Sequence, residues 1–257
     1  MKLAISPCPN DTFIFYALLH QKIKIDFDIN VQYEDIATLN QWAIDQKFDF
    51  IKLSFGCYPY IKDNYHYLQS GSALGHGCGP LLLAKGDKTV FDNQSRVDIP
   101  GKYTTANLLL NHFYPNLTNK TVCLFSEITE RLLQNKSDLG LVIHETRFTY
   151  HLQNLNKIAD LGQLWEEKYN LPIPLGGIFY KKSISQDMVL EMQTAIEKSI
   201  EYSWNNQDEV LEFCQQYAQE MDKDVMLQHI KLYVNEYSLK LGSLGNQAIE
   251  HLFNTAP

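Results

Sequence analysis

No stretch of the 257-residue chain is apolar over the roughly 18 residues a membrane span needs. The short apolar run in Met1-Lys2-Leu3-Ala4-Ile5-Ser6-Pro7 meets a proline too soon for a secretory signal. The chain also lacks any C-x-x-C pair, and its five cysteines, Cys8, Cys57, Cys78, Cys123 and Cys214, are odd in number and far apart. That spacing argues against a disulfide framework and a zinc ribbon, and it suits reduced thiols in a cytoplasmic protein. Runs of Lys and Arg interleaved with aromatics are missing, and 22 basic against 30 acidic residues leave a formal charge of -8 spread along the chain. We therefore expect no nucleic-acid partner and no membrane partner. His, Cys and carboxylates nowhere adopt metal-ligand spacing, so neither metal nor cofactor is expected. A small molecule is the remaining default partner.

What the chain does have is 45% hydrophobic residues, enough to fill one large core or two lobes. Its most informative stretch is Asp138-Leu139-Gly140-Leu141-Val142-Ile143-His144-Glu145-Thr146-Arg147. The apolar run 139–143 reads as a buried strand that ends in a group of ionisable side chains. In an open α/β sheet the carboxyl ends of strands face the ligand crevice, so His144 is placed either to meet a substrate or merely to cap the strand. Histidine has the unperturbed pKa nearest neutrality, which suits it to take and return a proton.

Earlier in the chain, residues 2–6 form a short strand, and the two prolines of Ser6-Pro7-Cys8-Pro9-Asn10-Asp11 fix a rigid turn. A helix is expected to start at Asp11, so that strand, loop and helix N-terminus, with Asn10 and Asp11, make an anion or hydroxyl site or simply set strand against helix. Residues 23–33 alternate apolar and polar and predict a strand with one wet face. Asp49-Phe50-Ile51-Lys52-Leu53-Ser54-Phe55 predicts another, delivering Lys52, Leu53 and Ser54 at its carboxyl end. A lysine inside an apolar strand either snorkels to water or meets a carboxylate.

The glycine-dense segment 71–80 lacks both the Gly-Lys-Ser/Thr ending of a phosphate loop and a G-x-G-x-x-G opening a helix. Cys78 within it reads as a small buried thiol rather than an activated nucleophile. Residues 81–84 are a strand, 85–94 a polar connector. After Gly101, Thr104 and Thr105 stand at the first turn of an apolar helix, where they either clamp a carboxylate beside free backbone N–H groups or act only as N-caps. Residues 171–180 are extended and proline-stiffened, and the chain from Ser185 onward is amphipathic helix.

Several of these segments together resemble a known family. Ser6-Pro7-Cys8-Pro9-Asn10-Asp11-Thr12-Phe13, Lys52-Leu53-Ser54, Thr104-Thr105-Ala106, Ile143-His144-Glu145 with Arg147-Phe148-Thr149-Tyr150, and Leu171-Pro172-Ile173-Pro174-Leu175-Gly176-Gly177 are similar, in this order, to the 1,4-dihydroxy-6-naphthoate synthases of the futalosine route to menaquinone. The resemblance implies an α/β, periplasmic-binding-protein-like fold of two lobes with mixed sheets and the ligand cleft between them. It would assign residues 1–90 plus 175–257 to lobe 1 and 91–174 to lobe 2. It also implies a carbon-carbon lyase in which His144 is the base and Lys52, Ser54, Thr104 and Thr105 contact a carboxylate substrate. Leu53 of the same strand end, Asn10, Asp11 and Arg147 complete the expected substrate-binding set, and a homodimer is possible. The alternatives are the sister dehydratase of chorismate derivatives and a non-catalytic solute-binding protein of the same fold.

Overall fold

A computed structural model describes residues 1–86, 90–144, 146–218 and 222–255. Its strands are β1 (Lys2–Ile5), β2 (Asn30–Tyr33), β3 (Phe50–Ser54), β4 (Tyr65–Tyr67), β5 (Ala73–Gly75), β6 (Leu81–Lys85), β7 (Val97–Ile99), β8 (Lys120–Val122), β9 (Leu139–Val142), β10 (Leu155–Asp160) and β11 (Ile173–Lys181). The α-helices are α1 (Pro9–Leu19), α2 (Ile36–Ile44), α3 (Tyr58–Ile61), α4 (Thr105–Phe113), α5 (Ile128–Leu133), α6 (Thr146–Thr149), α7 (Leu161–Tyr169), α8 (Gln186–Asn205), α9 (Gln207–Tyr217), α10 (Lys223–Tyr233), α11 (Glu236–Leu239) and α12 (Gly242–Thr255). None of these helices is long and apolar enough to cross a membrane.

The strands form two mixed sheets. One runs β2-β1-β3-β11-β4, with β5 also paired to β11; the other runs β10-β6-β9-β7-β8. In the first, β1 is parallel to β2 and β3 while β11 returns antiparallel. In the second, β9, β7 and β8 run parallel and β6 is antiparallel to both β9 and β10. The second sheet thus takes a strand, Leu81–Lys85, from the range 1–90 given above to lobe 1, because its antiparallel ladders lie with β9 and β10. Of the polar connector 85–94, residues 87–89 lie outside the described residues.

Two other expectations shift. The alternation over residues 23–33 yields a strand only at Asn30–Tyr33, since β1 supplies only four rungs, Lys2↔Asn30 to Ile5↔Tyr33. The remaining residues keep their alternating burial without a ladder. Helix α1 begins at Pro9 rather than Asp11, with Cys8 extended at its N-cap. Proline at a first helical position loses no hydrogen bond and arrives with φ already set. Nearly every residue of α1 is buried, as befits a helix packed on several sides, here against α8, α9 and α10. Its first turn is therefore held rigidly at the end of β1, with Asp11 inside it.

Candidate active site

The carboxyl ends of β1, β3, β7 and β9 converge, two from each sheet, and the chain leaving them lines a cleft of about 650 Å³ including its open mouth. Convergence of strand ends is where open α/β sheets bind ligands. From the first sheet come Ser6, Asn10, Asp11, Lys52 and Ser54; from the second come Thr104, Thr105, Ala106, Ile143 and His144.

Along β3 the side chains alternate, so Lys52 and Ser54 face the cleft while Leu53 turns into the apolar core. Leu53 therefore does not join the site expected of it. Lys52 does meet a carboxylate: its Nζ lies 2.6 Å from Asp11 Oδ1, and neither side chain is appreciably exposed. Asp11 Oδ2 accepts from the Ser6 hydroxyl at 2.7 Å and the Ser6 N–H at 3.2 Å, and Asn10 Nδ2 donates to Oδ1 at 2.9 Å. A buried ion pair is tolerated when its remaining lone pairs are satisfied in this way. Ser54 is fixed by Asn40, whose amide oxygen accepts from Ser54 N–H at 3.0 Å and whose Nδ2 donates to Ser54 Oγ at 3.2 Å.

Both threonine hydroxyls are committed to the fold. Thr104 caps α4, accepting from Asn107 N–H at 3.2 Å and donating to Gly101 carbonyl at 2.8 Å. Thr105 Oγ1 donates to Leu175 carbonyl at 2.6 Å and accepts from Gly56 N–H at 2.9 Å, tying α4 to the first sheet. Gly56 has to be glycine there, because a Cβ would stand 2.8 Å from Thr105 N. At this end of α4 Thr104, Thr105 and Ala106 line the cleft, where first-turn N–H groups make no intrahelical bond. The positive end of the helix dipole lies behind them.

His144 ends the run from β9 in the left-handed backbone region, φ 58°, an uncommon conformation for a residue other than glycine and one that recurs at functional sites. The following residue, Glu145, lies outside the described residues. Its ring meets Phe125 edge-on at 5.0 Å and lies nearly parallel to His229 at 6.2 Å. Burial pushes the imidazole pKa down to about 4, with Asp11 opposing and Lys52 reinforcing the fall. At neutral pH this is an uncharged base facing the cleft.

Arg147 does not reach the cleft. Its guanidinium donates to Asp160 Oδ2 and to Gly79 carbonyl, each at 2.6 Å, so the pairing with Asp160 consumes the charge expected to face a substrate. It braces Gly79-Pro80, which do line the cleft. Gly79 packs main chain to main chain on Gly162, where a Cβ would meet Gly162 atoms at 2.3 Å. Cys78 is buried at the cleft wall with its thiol pushed up to about 12 by burial, which leaves it no nucleophile at neutral pH. Among the described residues no group of His, Cys, Asp and Glu is arranged to hold a metal ion.

A family model described as menaquinone biosynthesis matches residues 1–257. The chain belongs to that menaquinone-biosynthesis family. Curated relatives are 37% identical over 256 residues in Thermus thermophilus, covering all of this chain and 93% of the relative, and 38% identical over 262 residues in Streptomyces coelicolor, covering all of this chain and 92% of the relative. Both are named 1,4-dihydroxy-6-naphthoate synthase. A crystal structure of an Archaeoglobus fulgidus protein superimposes with a TM-score of 0.94 at 31% identity, covering 99% of this chain and 95% of that one. The ligand-binding component of an import system from Staphylococcus aureus superimposes with a TM-score of 0.71 at 14% identity, covering all of this chain and 93% of that one. The periplasmic-binding-protein fold implied by the sequence resemblance is thus present.

In this member of the menaquinone-biosynthesis family, several contributors to the cleft region carry no local signal of their role. Tyr233 on α10 and Leu175-Gly176 on β11 line the cleft. His229, also on α10, is fully buried behind it, with Nε2 3.1 Å from Asn10 Oδ1. What the sequence does show is only that His229 stands at helical spacing from Met226 and Tyr233, a titratable side chain inside an otherwise apolar stripe.

Proposed function

We propose that this protein is a 1,4-dihydroxy-6-naphthoate synthase, a carbon-carbon lyase that converts cyclic dehypoxanthine futalosine to 1,4-dihydroxy-6-naphthoate with release of the sugar-derived fragment. The observation that carries the reading is the uncharged His144 imidazole facing a cleft whose opposite walls hold an anchored Lys52–Asp11 pair and the N-terminus of α4. The names and full-length identity of the two relatives support it.

In this reading the ring carboxylate sits at the first turn of α4, held by backbone N–H groups and the helix dipole, because the hydroxyls of Thr104 and Thr105 have given their protons to carbonyls. Ser54, Ser6 and Asn10 line the opposite wall and take the sugar hydroxyls. Neutral His144 removes a proton from the bicyclic substrate. That proton comes from a hydroxyl on the fragment, whose freed pair closes a carbonyl as the carbon–carbon bond to the ring breaks; the pair from that bond enters the ring as an enolate, and the imidazolium returns the proton to the enolate oxygen, so no charge or proton is left on the enzyme. Such positioned proton transfer contributes about 10² to 10⁴ in rate. The Lys52 ammonium, fixed beside Asp11, lies where it can offset negative charge as it develops.

Incubation of the purified protein with cyclic dehypoxanthine futalosine, followed by chromatography and mass spectrometry, tests the reading. Equal amounts of naphthoate and fragment are expected. Substrate that binds and is recovered unchanged would instead indicate a binding protein.

A further inference from the structure

His229 takes no part in the chemistry just described, yet it is fully buried, and its environment is unusually specific about its protonation. Asn10 Nδ2 donates to Asp11 Oδ1, which leaves Asn10 Oδ1 as an acceptor toward His229 Nε2 at 3.1 Å. His229 Nε2 must therefore carry the hydrogen. In an uncharged ring Nδ1 is then bare, and that buried atom has no partner among the described residues. An unpaired buried ring nitrogen costs free energy, so the fold retains it against a penalty that an apolar residue on this apolar helix face would not carry.

We infer that His229 is a positioning residue for the active centre, which orients the Asn10 carboxamide through its Nε2–H and presents its ring face to the His144 imidazole. Two observations meet in it. Through Asn10 it fixes the direction of the amide that lines the cleft and donates to Asp11, the carboxylate paired with Lys52. Through its ring, nearly parallel to His144 at 23° between planes, it limits how the base can tilt. Without this donor the Asn10 carboxamide keeps only its bond to Asp11 and can swing about it, and its oxygen loses its partner on α10. Burial, His144 and Lys52 all disfavour a charged His229, in keeping with a fixed neutral ring.

This inference rests on the lyase reading, and its test separates the two. The unmodified protein, His229→Phe and His229→Gln are compared for kcat, KM and thermal stability with cyclic dehypoxanthine futalosine. Phenylalanine keeps a ring against His144 and removes the donor; glutamine keeps a donor. We expect kcat of His229→Phe to fall about tenfold, the ratio that accompanies one lost hydrogen bond, with KM within about threefold, and His229→Gln to recover most of it. A kcat unchanged in both variants, with only the melting temperature moved, would show a structural residue and overturn the inference. Independently of any substrate, ring nitrogen-15 spectra of the unmodified protein should show hydrogen on Nε2 and a bare Nδ1 down to pH 6. Hydrogen on Nδ1 at that pH overturns the donor assignment, whereas a failure of the unmodified protein to turn over substrate counts against the lyase reading alone.

Discussion

Lys52 Nζ and Asp11 Oδ1 stand 2.6 Å apart at the junction of β3 and α1, with side-chain exposures of 5% and 0%. Removing either partner leaves a charge with no water to solvate it. We expect Lys52→Met or Asp11→Asn alone to cost about 3 to 5 kcal/mol in urea unfolding, and the double variant to cost less than the sum. Additive losses would show that the two groups do not form a coupled pair.

Thr105 bonds to Gly56 and Leu175 on the first sheet while its own helix follows a strand of the second. Thr105→Val keeps the shape and strands a buried N–H and a buried carbonyl. The expected loss is about 1 to 3 kcal/mol, larger than the roughly 1 kcal/mol of the cap lost in Thr104→Ala. Denaturant unfolding of the two variants decides the order; equal losses would mean the bridge between sheets contributes nothing beyond a cap.

Acid should weaken the protein through imidazoles held below their ordinary pKa. Burial holds His144 down to about 4 and His229 well below its ordinary value, and His66 and His112 are lowered too. Between about pH 6.5 and pH 4 the unfolded chain binds a proton at His144 that the native chain refuses, and the lowered His66, His112 and His229 act in the same direction. Stability is therefore complete above that window and declines through it as pH falls, by up to about 1.4 kcal/mol per pH unit for each such residue. Urea midpoints at pH 7 and pH 5 check the sign, and His229→Phe should show a shallower decline. For activity, kcat/KM should hold to about pH 5 and fall toward the His144 value near 4. An acid limb at 6.5 would mean the base is not the buried imidazole.

The parts of this centre legible in the sequence were those governed by local periodicity. The strand 139–142 ending at His144, the buried strand carrying Lys52 and Ser54, and Thr104 at the N-cap of α4 all follow from patterns a few residues long. Leu53 was misplaced because neighbours on a strand face opposite ways, and Arg147 because nothing local discloses Asp160 as its partner. His229 depends on Asn10, 219 positions away, and so on tertiary packing that no window of sequence contains. The start of α1 and the shortness of β2 were decided by a proline and by the length of a neighbouring strand.

Central to the account is one uncharged imidazole acting as base. His144→Asn, measured for substrate affinity by calorimetry and for turnover by product formation, tests this directly. We predict affinity within about threefold of the unmodified protein and turnover reduced by about 10² or more. Turnover close to that of the unmodified protein would contradict the assignment of His144.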